Sequence, residues 1–323
     1  MNQFITLLKR EFLEHRSIFL FVPAAISIFL VLMMALSVFV VNMEIGDDPD
    51  TNISIGDRRH ETRDEERFDS NGDSKVFASV RDIYTMKIQE LAATDREYRE
   101  EQISRFLMGL SAPVQVVLMF VIFFYLLGSL YEERKNRSIL FWKSMPVSDL
   151  SVICSKLTSG LIVAPAIALV CIAFAQISAL VMASVLGAMA DTEIWSVIWS
   201  PANLFSHWGH MTGFFMVQVI WSMPLFCWVL LVSAFARSIP LIWVIGVPIA
   251  VVIAEQILFP FDWFSDFFTR HSQPYGGLQM GAANMDTTLI VDMLSDMDLW
   301  LGILVGVAFI AGAVWKRGRS EAT

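Results

Sequence analysis

Few side chains in this chain have the types and spacing that chemistry requires. His60-Glu61 opens like a zinc-protease motif, but Thr-Arg-Asp follows, so the second zinc-binding His is missing. His207-Trp-Gly-His210 brings two imidazoles near each other with no third ligand nearby, which reads as a paired surface or interface role. Asp69-Ser-Asn-Gly-Asp73 has the look of a calcium loop, yet its Gly falls too early and Val80 stands where the closing Glu belongs. Cys154, Cys171 and Cys227 form neither a disulfide framework nor a metal cluster, and read as small apolar core residues. There is no G-x-x-x-x-G-K-[ST] run to cradle phosphate. No catalytic, cofactor or metal site is expected in the chain itself.

The polar stretch with the most structure is Tyr131-Glu-Glu-Arg-Lys-Asn-Arg-Ser-Ile-Leu-Phe-Trp-Lys-Ser-Met-Pro-Val-Ser148. It is charged and amphipathic, and lies between two long apolar runs. Glu132, Glu133, Arg134, Lys135 and Arg137 can form charge pairs with a soluble partner, while Ile139, Leu140, Phe141 and Trp142 supply an apolar anchor. Pro146 would end a helix and Ser148 could cap the next. The rival reading is a loop held by its own i,i+4 charge pairs.

What must position this segment is a membrane bundle. The chain is 55% hydrophobic with a mean hydropathy of +0.58. Its apolar residues fall in six blocks long enough to span: 17–42, 113–130, 159–186, 213–235, 239–258 and 299–315. The expected fold is an all-α integral membrane protein, a single domain over 1–323. With the long loop 43–112 set aside, twelve basic residues fall on one side and one, Arg270, on the other. The basic side is cytoplasmic by the positive-inside rule, and it holds both termini and loop 131–158. Loop 43–112 carries seventeen acidic and ten basic residues and segment 259–298 six Asp, so the net charge of −9 is extracytoplasmic and gives no support to nucleic-acid binding. The N-terminus does not read as a cleavable signal peptide: it is polar and amphipathic, and its apolar run exceeds a signal h-region.

Outside the spans, residues 1–16 place Phe4, Ile5, Leu8 and Phe12 at helical spacing, predicting an amphipathic helix on the cytoplasmic membrane surface. In the extracytoplasmic loop 43–112, residues 44–73 are polar and read as mobile. From 74 onward Val76, Phe77, Val80, Ile83, Tyr84, Ile88 and Leu91 make one helical stripe. Thr94-Asp-Arg-Glu97 reads as a capping box opening a second helix with Ile103, Phe106, Leu107 and Leu110 on its apolar side, continuing into the second span or ending before it. Trp195, Trp199 and Trp208 suggest headgroup anchors. Residues 259–298 show no regular period and suggest an extracytoplasmic or re-entrant segment.

Within the spans, Glu255 is the main charged residue. It sits about 25 Å of helix rise into its block, which makes it an interfacial anchor near the outer headgroups. Gly302-x-x-x-Gly306 permits close helix approach, within one bundle or between two copies. Pro165, Pro224 and Pro248 are candidate kinks.

The run Glu133-Arg134 … Ser138-Ile-Leu … Trp142-Lys-Ser-Met-Pro-Val-Ser148 … Lys156 resembles the cytoplasmic loop of ABC-2-type transporter permeases, where an E-R-x-x-x-[ST] element, a small-apolar-Pro-[VILM]-[ST] element and a later Lys recur between the second and third spans. Lys9-Arg10-Glu11-Phe12 is similar to that family's opening amphipathic helix. The topology agrees over essentially the whole chain, the motifs over about 40 residues. The long loop after the first span departs from the shorter connection of many members and leaves the substrate open.

The resemblance implies an export permease of the bacterial cytoplasmic membrane, a homodimer or paired permease. It would dock two separate ATPase subunits that bind ATP and Mg, with 132–148 as the coupling element. Two rivals are a non-transporting membrane scaffold or signal relay, and an ion-coupled secondary transporter. The second would need several buried acids.

Overall fold

The computed structural model describes residues 3–43, 80–137, 139, 147–189, 192–258, 262–273, 275 and 287–319. Within them the chain is all helix, as the composition requires: a segment in hydrocarbon must satisfy every backbone N–H and C=O internally. The elements are α1 (Gln3–Glu14), a π-helical turn (Ser17–Phe21) leading into α2 (Val22–Met43), α3 (Val80–Ala93) and α4 (Arg96–Lys135). Then come α5 (Asp149–Thr158), a second π turn (Ser159–Val163), α6 (Ala164–Met189) and a third π turn (Trp195–Trp199). They are followed by α7 (Leu204–Trp221), α8 (Met223–Phe235), α9 (Pro240–Leu258), α10 (Trp263–Ser272), α11 (Thr287–Ser295) and α12 (Met297–Arg319).

Five helices are long and apolar enough to cross a membrane, and the bent pair α7–α8 makes a sixth. Two of them outrun their apolar blocks. α4 runs unbroken for 40 residues, about 60 Å, so the expected second helix of loop 43–112 and the span 113–130 are one rod. Thr94 does not open it. Its hydroxyl donates back to the Glu90 carbonyl at 2.7 Å and so closes α3, while the N-cap of α4 is Asp95, with no side-chain cap. Of the expected stripe, Val76 and Phe77 lie outside the described residues, and Leu91 packs with Ile103, Leu107 and Leu180 in a cluster separate from the main core.

Block 213–235 is not straight. Its two halves meet at 56° around Ser222, where Pro224 lacks the N–H that would continue the ladder. Residues 259–298 contain two regular helices, α10 and α11, so the absence of a period did not mean an absence of helix.

The main core runs along α4, α5, α6, α8 and α12 and includes Val114, Leu118, Leu126, Ile153, Ala168, Leu230 and Ala313. Gly302 and Gly306 are spent inside this bundle. A Cβ at Gly302 would lie 2.6 Å from His271 Nε2, and one at Gly306 3.5 Å from Met223. By contrast α9 buries only Val244 and Pro248, which suits a helix apolar on all sides that faces lipid.

Candidate functional site

The richest polar chemistry gathers where both terminal helices meet the ends of α4 and α5. Lys156 of α5 is 2% exposed, and its Nζ donates to Glu11 Oε1 of α1 at 2.9 Å and to Glu133 Oε1 of α4 at 3.0 Å. The other oxygen of Glu133 accepts from Arg317 Nη1 of α12, and Arg317 Nε donates to Asp149 Oδ1 at the start of α5, 2.9 Å away. Glu11 Oε2 accepts from the Tyr125 hydroxyl at 3.0 Å, with His15 Nε2 at 3.9 Å. The result is a continuous line, Tyr125–Glu11–Lys156–Glu133–Arg317–Asp149, that ties four helices together at one end of the bundle.

Local structure explains how these groups reach one another. Glu11 follows Leu7 by one helical turn, so the face of α1 buried against the rest of the chain is Leu7–Glu11, beside the Phe4–Ile5–Leu8–Phe12 stripe expected to meet the membrane surface. Phe12 still packs on the core, but Ile5 is 59% exposed, and Phe4 and Leu8 are only partly covered. Tyr125 packs edge-on against His15 and Phe19, at 4.9 and 4.7 Å between centroids. Gly160 leaves room for it: a Cβ there would sit 3.3 Å from the ring. Ser148 is the N-cap of α5, its Oγ accepting from Ser151 N–H at 3.2 Å.

This geometry revises the roles expected of the charged segment. Glu133 and Arg134 were expected to offer charge to a soluble partner, yet both turn inward. Arg134 Nη2 donates to the carbonyls of Ser233 (2.6 Å) and Ala236 (2.9 Å), closing the C-terminal end of α8. Ser233 Oγ in turn lies 3.1 and 3.0 Å from the amides of Leu130 and Tyr131. Buried charges need partners, and the nearest ones are in this chain. Glu132, Lys135 and Arg137 are exposed. Arg137 takes a left-handed backbone (φ 57°) just beyond α4 and stops the helix. Ile139 is buried, while Leu140, Phe141, Trp142 and Pro146 lie outside the described residues.

At the opposite end one buried hub is a neutral amide. Gln176 of α6 is fully buried; its Nε2 donates to the Leu107 carbonyl at 3.0 Å and meets His207 Nε2 at 3.1 Å, and its Oε1 accepts from Trp208 Nε1 at 2.8 Å. His207 is therefore engaged by Gln176, while His210 is exposed. Trp199 donates to Ser184, and Trp195 is 73% exposed. Glu255 caps α10 from a neighbouring helix, its two oxygens accepting the Phe264 and Ser265 amides at 2.7 and 3.0 Å. Among the described residues no group of three His, Cys, Asp or Glu could hold a metal ion.

The sequence pattern singles out Glu133, Arg134 and Lys156 but not Glu11, Asp149, Arg317 and Tyr125 as their company. The one local signal is an acid at 11 on the same turn-spaced face as Leu7. No family model matches the chain, and neither a curated protein nor a solved structure is significantly similar to it.

Proposed function

We propose that the chain is the membrane-spanning subunit of an ATP-driven exporter of the ABC-2 type. In this reading a separate ATPase subunit binds ATP and Mg and docks on segment 131–148. The subunit works as a dimer in a bacterial cytoplasmic membrane, with α1, segment 131–158 and the C-terminal end of α12 on the cytoplasmic side. The observation that carries the reading is how that segment is rooted. Its first residues belong to the last turn of α4, where Glu133 is paired to α5 and α12 and Arg134 holds the end of α8. A force applied at 135–148 is thereby delivered to three other helices. Glu132, Lys135 and Arg137 are the exposed charges that meet the ATPase, and Glu133 and Arg134 transmit.

The test is co-purification with the ATPase encoded beside this chain and ATP hydrolysis by the pair in vesicles. Replacing Glu132, Lys135 and Arg137 with Ala should weaken association and abolish stimulation while the bundle keeps its unfolding temperature. Full stimulation in that variant, or no ATPase partner at all, would sink the proposal.

A further inference from the structure

Beyond the transport reading, and resting only on the chain being an integral membrane protein, the corner between α8, α9 and α12 carries a second surface. α8 lies between the other two. Trp228 donates to the Val244 carbonyl of α9 at 3.2 Å, and its ring lies 5.5 Å from Phe309 of α12. Two turns further on, the same pair of faces ends in Phe235 and Lys316, with the ammonium 5.6 Å from the ring centroid. One turn beyond, the Arg319 guanidinium stacks on Trp315 at 4.2 Å. Arg237, exposed, leaves α8 two residues after Phe235. The two rings are themselves 44% and 52% exposed.

Charge is what selects the occupant. At about 100° per residue, Arg317 points into the bundle, Gly318 flanks it toward Asp149, and Lys316 and Arg319 fall on the other flank and the outer face. The acids that reach α12 at this end, Glu133 and Asp149, are already committed to Lys156 and Arg317. The carbonyl end of α8 cannot neutralise Arg237 either, because Arg134 holds it. Among the described residues no carboxylate pairs with Arg237, Lys316 or Arg319. Among the described residues, two cations without a carboxylate, Lys316 and Arg319, thus sit on exposed aromatic rings, and exposed Arg237 follows Phe235 closely in the chain, at the end of lipid-facing helices, where tails are apolar and headgroups carry phosphate.

We infer that this corner is a binding site for an anionic phospholipid, its phosphate held by Lys316, Arg319 and Arg237 and its acyl chains lying along α9 and the outer face of α12. The site is separate from the buried ion line and needs no ATPase.

The full chain in a neutral detergent is titrated with phosphatidylglycerol and with phosphatidylcholine, and retained lipid is read by native mass spectrometry. Phosphatidylglycerol should be retained preferentially. Arg237→Gln, Lys316→Gln and Arg319→Gln should each weaken that retention roughly fivefold, as loss of one surface cation near an anionic headgroup does. The pair Lys9→Gln and Arg16→Gln, exposed cations at α1 and the start of the π turn before α2, should leave it unchanged. Wild-type retention in the triple variant overturns the site, as does an equal loss in the Lys9/Arg16 pair or displacement of the lipid by millimolar inorganic phosphate. Should the triple variant misfold, Arg319→Gln alone, on the outermost face, decides the matter.

Discussion

The two ends of the bundle solve the same problem with different chemistry. At the end shared by α1, α5 and α12, helices are joined through buried charges: Glu11, Lys156, Glu133 and Arg317 are all engaged pairwise. At the other end the junction of α4, α6 and α7 is made through one neutral amide, Gln176, while charges there join other helices in pairs, Arg270 of α10 with Asp298 of α12. Buried ions cost more to assemble and far more to break singly, so they specify which helices meet; a neutral hub satisfies its neighbours at lower stakes. The charged end is also where segment 131–148 emerges.

The sharpest way to break the comparison is Lys156→Met. It leaves Glu11 and Glu133 buried without their shared cation, and should cost about 3–5 kcal/mol of stability, read by denaturant titration in detergent micelles. Adding Glu11→Leu should recover part of that loss, and a double-mutant cycle returning purely additive costs would show that the line is not coupled. The double replacement of Glu133 and Arg134 should for the same reason destabilise the bundle before it reports on any role of that segment.

Gln176→Leu tests the neutral end. It strands the Trp208 indole N–H and removes the second donor to the helical Leu107 carbonyl, with an expected loss of about 1–3 kcal/mol, smaller than that at Lys156. An effect as large as that of Lys156→Met would erase the distinction between the ends.

The architecture was legible wherever one block of sequence carried its own signal. The runs 17–42, 159–186, 239–258 and 299–315 are predominantly apolar and hold matching helices, because length and hydropathy suffice when lipid is the solvent. The continuity of α4 was only half legible. The stretch 96–112 reads as a helix with Ile103 and Leu107 on its apolar side, but whether it runs on into the span is decided only by the unbroken helix and by the packing of Ile103 and Leu107 on Leu180, across 70 or more residues of chain. Pro224 marked the bend at Ser222, but Pro248 is an identical signal inside an unbroken helix, so proline alone does not decide. The ion line was hidden for a plainer reason. Its pairs lie 145 and 184 residues apart, and no periodicity in one sequence joins Glu11 to Lys156 or Glu133 to Arg317. Charged residues near span ends look alike whether they face a partner, the headgroups or one another.

Glu255 offers the smallest and most selective test, because it is a charge at the neutral end. Its carboxylate accepts two amides at the start of α10, and α10 in turn places His271 flat against Trp221, 4.7 Å between centroids. Glu255→Gln keeps one acceptor oxygen and removes the negative charge that the positive end of α10 favours, so the loss should be about 0.5–2 kcal/mol, confined to α10 and its neighbours. Hydrogen exchange should show the amides of 264–272 opening faster while those of α5 and the end of α4 are unmoved. If exchange instead rises along Glu133 and Lys156, the two ends respond as one body, and the separation between the buried ion line and the end that holds Gln176 and Glu255 does not hold.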